Sequence, residues 1–379
     1  MTPVSILSED LRCSQDEPSV WPGFGPARSI SKDSNSPSCF ALASEWLDVC
    51  LTTHERCKAA ATASKRAILP RRVLKLYSKD DNVSLYEPTG KERRPYAALS
   101  YCWGGESQEK IKTTKRTLDQ NLHSIALQSL PLTLQHSIST TRALGLEYIW
   151  IDSLCIIQDS ASDWQRESVL MCEIYSNATV TISADGALDC EGGCLGSGPH
   201  RNLTINAIPC HTSNGDMTNI YLRRSGFRQE ANGAHATHNL ARPRLDSRGW
   251  TLQERLLSPR VLHCTSTELV WQCSARVTCE CQVIEKEPDG SAFVPFRTQY
   301  VIPSNVGLGT FSTKPSRGRK IDWRRVVGEY TQRDLSYQKD RLPAISGLAA
   351  LMTKKSPSLY NQKDFLFGIW RAELVQNLL

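Results

Sequence analysis

The chain has 379 residues, 40% hydrophobic and 22% charged, which excludes a low-complexity polymer and leaves room for a sizeable core. The formal net charge of +6 is mild, and no uninterrupted apolar run is long enough to span a bilayer. The opening MTPVSILSEDLRC carries acids where a signal peptide would have its apolar centre, so the chain reads as cytoplasmic. Its fourteen cysteines then read as buried thiols rather than a disulfide framework.

Residues 1–40 are rich in Ser, Pro, Asp and Gly and are expected to be disordered or loosely attached. Residues 41–90 are expected to supply a helix and short strands. In FALASEWLDVCLTTHERC, Leu42, Trp46, Val49, Cys50 and Cys57 fit one helical face. Cys50, His54 and Cys57 share that face at i, i+4 and i+7. No fourth ligand is evident, so the segment reads as a packed helix with incidental thiols, and no metal is expected. RRVLKLYS and NVSLYEP alternate apolar and polar residues as a hairpin would.

A regular succession follows. YAALSYCWGG (Tyr96–Gly105) reads as a strand ending in a Trp-Gly-Gly turn. Pro131 to Gly145 reads as a helix, with proline in its first turn and glycine at its C-cap. LEYIWID is a second strand. Ser162 to Ala178 is a second helix, with Ser162 and Gln165 placed as a capping box. TVTISAD is a third strand. Strand, helix, strand, helix, strand with short connections predicts an α/β fold with a Rossmann-like parallel sheet core and flanking helices. Further on, 203–222 reads as strands, 225–244 as an exposed loop, Asp246–Ser258 as a helix with Ser247 near its N-cap, and RVLHCTSTELVWQC as an additional β-hairpin. Residues 286–320 are expected to be a linker. Residues 321–379 are expected to be a helical segment, with two helices separated near Pro343 and a last helical piece at FLFGIWRAEL. The basic run Lys314 to Arg325 is unaccompanied by any nucleic-acid-binding signature, so no nucleic-acid partner is expected. Cys190 and Cys194 are a weak metal signal.

Ligands of an open parallel sheet bind beyond the carboxyl ends of its strands. Those ends carry Ser100, Trp103, Gly104 and Gly105 on the first strand, Asp152, Ser153 and Cys155 on the second, and Asp185 on the third. The following helix adds Asp163, Trp164 and Glu167 near its start. Each has a plainer reading: Asp152 as a cap, Trp103 as core cover, the glycines as a turn, and Glu167 as a surface acid favoured by the helix dipole. Cys102 and Cys155 have no histidine close in sequence and read as buried thiols.

Three blocks, YAALSYCWGG, YIWIDSLCIIQDSASDWQRESVLMCEIYSNATVTISA and SRGWTLQERLLSPRVLHCTSTELVWQC, together resemble the fungal heterokaryon incompatibility (HET) domain. The likeness places the domain at about 91–285 and reaches into its flanks. It implies a cytoplasmic protein of fungal self/non-self recognition and programmed cell death, acting with other incompatibility proteins or as a self-oligomer. The proposed relation of that family to TIR domains implies a TIR-like core and NAD as a substrate. Glu167 is then the expected catalytic acid, with Ser100, Trp103, Gly104, Asp152, Ser153 and Trp164 binding the dinucleotide. The alternative is a non-enzymatic assembly module that triggers death through its partners.

Overall fold

The computed structural model describes residues 9–14, 26–27, 30–77, 82–104, 112–197, 205–211, 215, 217–224, 244–281, 301–303, 319–321, 323–355 and 360–371. In chain order these form β1 (Glu9–Ser14), β2 (Pro26–Ala27), α1 (Pro37–Thr52), α2 (Lys58–Arg66), β3 (Val73–Leu76), β4 (Asn82–Tyr86) and β5 (Ala97–Ser100). Next come α3 (Leu118–His123), β6 (Ile125–Ala126), α4 (Leu132–Ala143), β7 (Tyr148–Trp150), α5 (Asp152–Cys155), α6 (Ala161–Asn177) and β8 (Val180–Ser183). The second half adds β9 (Ile205–His211), β10 (Met217–Arg224), α7 (Gly249–Leu257), β11 (Arg260–Cys264), β12 (Leu269–Cys273) and β13 (Val277–Cys279). It ends with β14 (Val301–Pro303), β15 (Arg319–Ile321), α8 (Trp323–Tyr330), α9 (Pro343–Lys355), β16 (Phe365–Leu366) and β17 (Ile369–Trp370).

A mixed sheet of nine strands, ordered β13-β12-β11-β8-β5-β7-β3-β4-β6, organises the fold. Its centre, β7-β5-β8-β11, is parallel, with Ala97 opposite Ile149, Ala97 opposite Val180 and Thr181 opposite Val261. Every residue of these four strands is buried, as expected when helices cover both faces. The antiparallel hairpins β3–β4 and β12–β13 extend the sheet on either side. The α/β class and parallel core expected from the sequence are present, within a sheet that is mixed overall. The chain goes from β5 through α4 to β7 on one side, then through α6 to β8 on the other. That reversal beside β5 is a topological switch point, where such sheets open a crevice.

The helices dock through specific contacts. Trp150 meets Tyr175 edge-on at 5.6 Å between ring centroids, and the Tyr175 hydroxyl donates to the Leu99 carbonyl at 2.8 Å, fixing α6 on β7 and β5. α4 packs on α1, whereas α6 packs on α7 and α9. Gly186, just past β8, lies so close to the β11–β12 turn that a Cβ there would stand 2.9 Å from the Ser266 nitrogen and 3.1 Å from the Thr265 carbonyl carbon. Backbone cannot yield as a flexible side chain does, so Gly186→Ala is expected to cost about 1–3 kcal/mol in denaturant titrations.

Several local expectations change. The Ser/Pro-rich N-terminus contributes β1, which pairs antiparallel with β10 from Glu9–Arg224 to Cys13–Ile220. α1 stops at Thr52, so His54 and Cys57 are not on the helix that carries Cys50. The cap of α6 is Ser160, whose hydroxyl accepts from the Asp163 N–H, so the helix starts one residue before Ser162. α7 begins only at Gly249, because Arg244–Ser247 forms a 3-10 turn in which the Ser247 hydroxyl is spent on the Arg244 carbonyl. FLFGIW is a hairpin rather than a helix. Phe367 and Gly368 take φ of 50° and 93°, which reverses the chain, and Phe365 and Trp370 join Trp323 in an aromatic cluster. The expected loop at 225–244 and linker at 286–320 fall mostly outside the described residues. No helix among the described residues is long and apolar enough to cross a membrane.

Candidate functional site

The crevice beyond β5 and β7 is a cleft of ≈ 620 Å³. β5 supplies its back wall. Ser100 is buried there, and its hydroxyl donates to Glu254 Oε2 of α7 at 2.5 Å. The chain then passes Tyr101, whose hydroxyl donates to Ser153 Oγ at 2.7 Å and whose carbonyl accepts from Arg248 Nη1 at 2.9 Å. Trp103 lines the cleft and donates its indole N–H to Asp152 Oδ2 at 2.8 Å. Gly104 makes that turn with φ of +88° and packs so tightly that a Cβ would fall 2.8 Å from the Asp189 Cβ. A side chain there is strained on both counts. Gly105 lies outside the described residues.

β7 delivers Asp152 to the mouth, where its Oδ1 accepts the Ser153 N–H at 2.7 Å. Trp164, on the first turn of α6, stands edge-on to Trp250 of α7, with centroids 6.3 Å apart and planes at 89°. The far wall is residues 334–340, with the Lys339 ammonium 5.8 Å from the Trp164 ring centroid and Asp340 Oδ2 accepting the Trp250 N–H at 3.4 Å.

Burial raises the pKa of both carboxyls of the cleft. Burial raises the Asp152 pKa, against the opposing pull of Arg248 and the Trp103 N–H. Burial pushes Glu254 up to about 7. The Ser100 hydroxyl opposes that rise, the Asp152 charge adds to it, and Arg248 opposes it again. Two carboxyls whose charges act on each other, with Glu254 poised near neutral pH, stand beside Arg248 and three indoles, an arrangement in which Glu254 can take up and release a proton.

Of the residues expected at this site, Trp103, Asp152 and Trp164 line the cleft. Ser100, Ser153 and Gly104 support it from behind, through Glu254, Tyr101 and the turn respectively. Glu167 is not among the lining residues. It is 1% exposed and its pKa is raised by burial, with Arg72 opposing the rise and Asp163 adding to it. Trp164 and Glu167 are three apart, only about 60° around the helix, so the helical period alone does not separate them. Trp164 meets Trp250 of α7, whereas the charges that act most on Glu167 are Arg72 and Asp163.

Asp185 belongs to a separate closed network. It accepts from Ser183 Oγ at 2.9 Å, pairs with His263 Nδ1 at 2.6 Å, and meets Arg255 at 3.6 Å. Burial alone would raise it, but His263 and Arg255 prevail and its pKa is lowered. Cys102 and Cys155 are buried thiols. Desolvation raises the first and pushes the second up to about 12, which leaves neither as a thiolate.

The family model for heterokaryon incompatibility protein (HET) matches residues 96–254. The chain carries a HET domain. Neither the curated proteins nor the solved structures give a significant match. The matched segment opens just before β5 and closes at Glu254, so the Ser100–Glu254 hydrogen bond joins its two ends. The HET domain thus contains both carboxyls, Arg248 and three indoles of the cleft, while Lys339 and Asp340 come from outside it. Arg248 and Glu254 stand in the third of the blocks that carry the family likeness, and neither was singled out there as a site residue. A glutamate four residues after Trp250 on one helix was the available signal. Residues 334–340 were legible only as part of the flank that the family likeness reaches, because their place at the cleft is set by tertiary packing.

Proposed function

We propose that this HET domain is a cytoplasmic effector of fungal self/non-self recognition and programmed cell death, and that its cleft cleaves NAD. The observation that carries this reading is the convergence of Asp152 and Glu254 with Arg248, Trp103 and Trp164 on one cleft at the switch point of a parallel sheet. An indole face suits the flat nicotinamide or adenine ring, and Arg248 with Lys112 and Lys339 suits the pyrophosphate.

In this reading the bond from ribose C1′ to the nicotinamide nitrogen breaks, and its electron pair neutralises the pyridinium. Asp152, as carboxylate, stabilises the ribosyl oxocarbenium. Water adds to C1′, and Glu254 takes its proton, giving nicotinamide, ADP-ribose and a proton. The acid expected on α6, Glu167, has in this arrangement no direct part in the reaction and shapes the wall that carries Trp164.

The test is nicotinamide release by the purified full-length chain. Asp152→Asn is expected to lower kcat about 10²–10⁴-fold with the fold retained. Wild-type protein that is folded and assembled yet releases no nicotinamide overturns the enzymatic reading. Cell death that persists in Asp152→Asn without NAD turnover supports instead an assembly module acting through a self-oligomer or other incompatibility proteins.

A further inference from the structure

We propose that Cys50, His54, Cys57 and Cys273 bind a structural zinc ion, clipping the helix and turn before the HET domain to the strand after it. The four ligand atoms all lie within 4.8 Å of one another. Cys50 sits in the last turn of α1. The chain leaves that helix at Thr52, His54 caps a short 3-10 turn, and Cys57 ends it with its N–H on the His54 carbonyl at 2.9 Å. This turn brings the side chains of Cys50, His54 and Cys57 together although they share no helix. The fourth ligand, Cys273, ends β12 and is 219 residues from His54 in sequence, which is why the spacing alone showed no complete site. Its Sγ lies 3.4 Å from His54 Nδ1, close to the ligand–ligand edge of about 3.6–3.8 Å in a tetrahedral zinc site.

Arg260 supplies an independent argument. It is 0% exposed, and among the described residues no carboxylate pairs with it. A buried guanidinium without an anion is costly. Its Nε donates to Cys50 Sγ at 3.2 Å, and its other nitrogens reach the carbonyls of Thr179 and Cys57 at 3.2 and 3.5 Å. Three thiolates and one Zn²⁺ carry a net single negative charge, which Arg260 balances. A disulfide accounts for the site less well, since any pairing leaves one thiol over and gives the histidine and the arginine no role. Thiolate and imidazole donors select zinc over magnesium or calcium, and four protein ligands close the site to substrate. A small cleft beside His54, walled by Trp46, Trp271 and Arg276, gives the ion a path from solvent.

The experiment is elemental analysis of the full-length chain, expressed with added zinc and purified without chelator. Wild type is expected to hold stoichiometric zinc, and Cys57→Ser and Cys273→Ser to lose at least about tenfold of that content. Cys279→Ser, in the separate Glu268–Cys279–Cys281 group, is expected to retain it. Should the ligand variants fail to fold, wild type alone decides. Co²⁺ exchange is then expected to give the visible bands of a tetrahedral thiolate site, and chelator to speed alkylation of Cys50, Cys57 and Cys273. Folded wild type that binds no zinc, zinc lost with Cys279→Ser but not Cys57→Ser, or alkylation of the three cysteines indifferent to chelator would each overturn the proposal.

Discussion

Arg72→Met is expected to lower the unfolding free energy by about 3–5 kcal/mol, the cost of stranding a buried charge. Arg72 is 1% exposed and sits just before β3. Its guanidinium pairs with Asp163 of α6 and donates through Nε to the Cys155 carbonyl at 2.8 Å. Asp163 also accepts the Ile157 N–H at 2.9 Å, so one ion pair ties the edge of the parallel core to the exit of α5 and the first turn of α6. Without Arg72 the Asp163 carboxylate keeps only that N–H and the half-exposed Arg166 at 3.5 Å. Asp163 and Trp164 are adjacent, so the same loss should loosen the aromatic wall of the cleft. Denaturant midpoints check the first effect and quenching of tryptophan fluorescence the second. A double variant, Arg72→Met with Asp163→Leu, is expected to recover part of the stability, because the two charges of the pair are removed together while the Ile157 N–H still loses its acceptor. A single variant within about 1 kcal/mol of wild type would show the pair to be no stronger than a surface bridge.

That ion pair also marks where sequence reasoning stops. The strands YAALS, YIW and VTIS were legible because they are short, apolar and spaced by helical segments, and periodicity reports burial directly. Asp152 was legible because it follows a strand whose end must face the crevice. Arg72, in the run RRVLKLYS, drew no reading of its own, since nothing local tells a buried guanidinium from a solvated one. Glu167 was placed at the right helix but on the wrong side for the cleft. A side chain three residues from Trp164 lies only about 60° round the helix, so periodicity puts both on one face and only the docking of α6 on α7 fixes which of them reaches the cleft. Cys273 and residues 334–340 come from distant segments, and the contacts that place them arise only once the sheet is complete. The final hairpin failed for a local reason, a phenylalanine in a left-handed turn, which propensity does not foresee.

Glu254→Gln is expected to be more stable than wild type at alkaline pH and equal to it in acid. Folding moves the Glu254 pKa from its ordinary 4.5 to about 7, so the folded protein holds this proton more tightly than the unfolded chain. Stability from this group is therefore complete below the unfolded pKa and is lost as the pH rises through about 7. The shift corresponds to about 3 kcal/mol between its two limits, taken as an order of magnitude. Asp152, whose pKa is also raised, adds a slope of the same sign. Glutamine imitates the protonated acid and can still accept from the Ser100 hydroxyl, so the variant should lose most of the pH dependence rather than the fold. Urea midpoints of both proteins across the range from acid to alkaline settle this, and parallel curves would show that Glu254 does not titrate near neutrality. The NAD-cleaving reading requires the opposite sign for turnover. Nicotinamide release should rise as Glu254 loses its proton near pH 7, and in the glutamine variant that rise should vanish together with most of the rate. A carboxyl that costs stability in the very form that activity needs is the expected mark of a functional site, because selection for packing alone would have placed an uncharged side chain there.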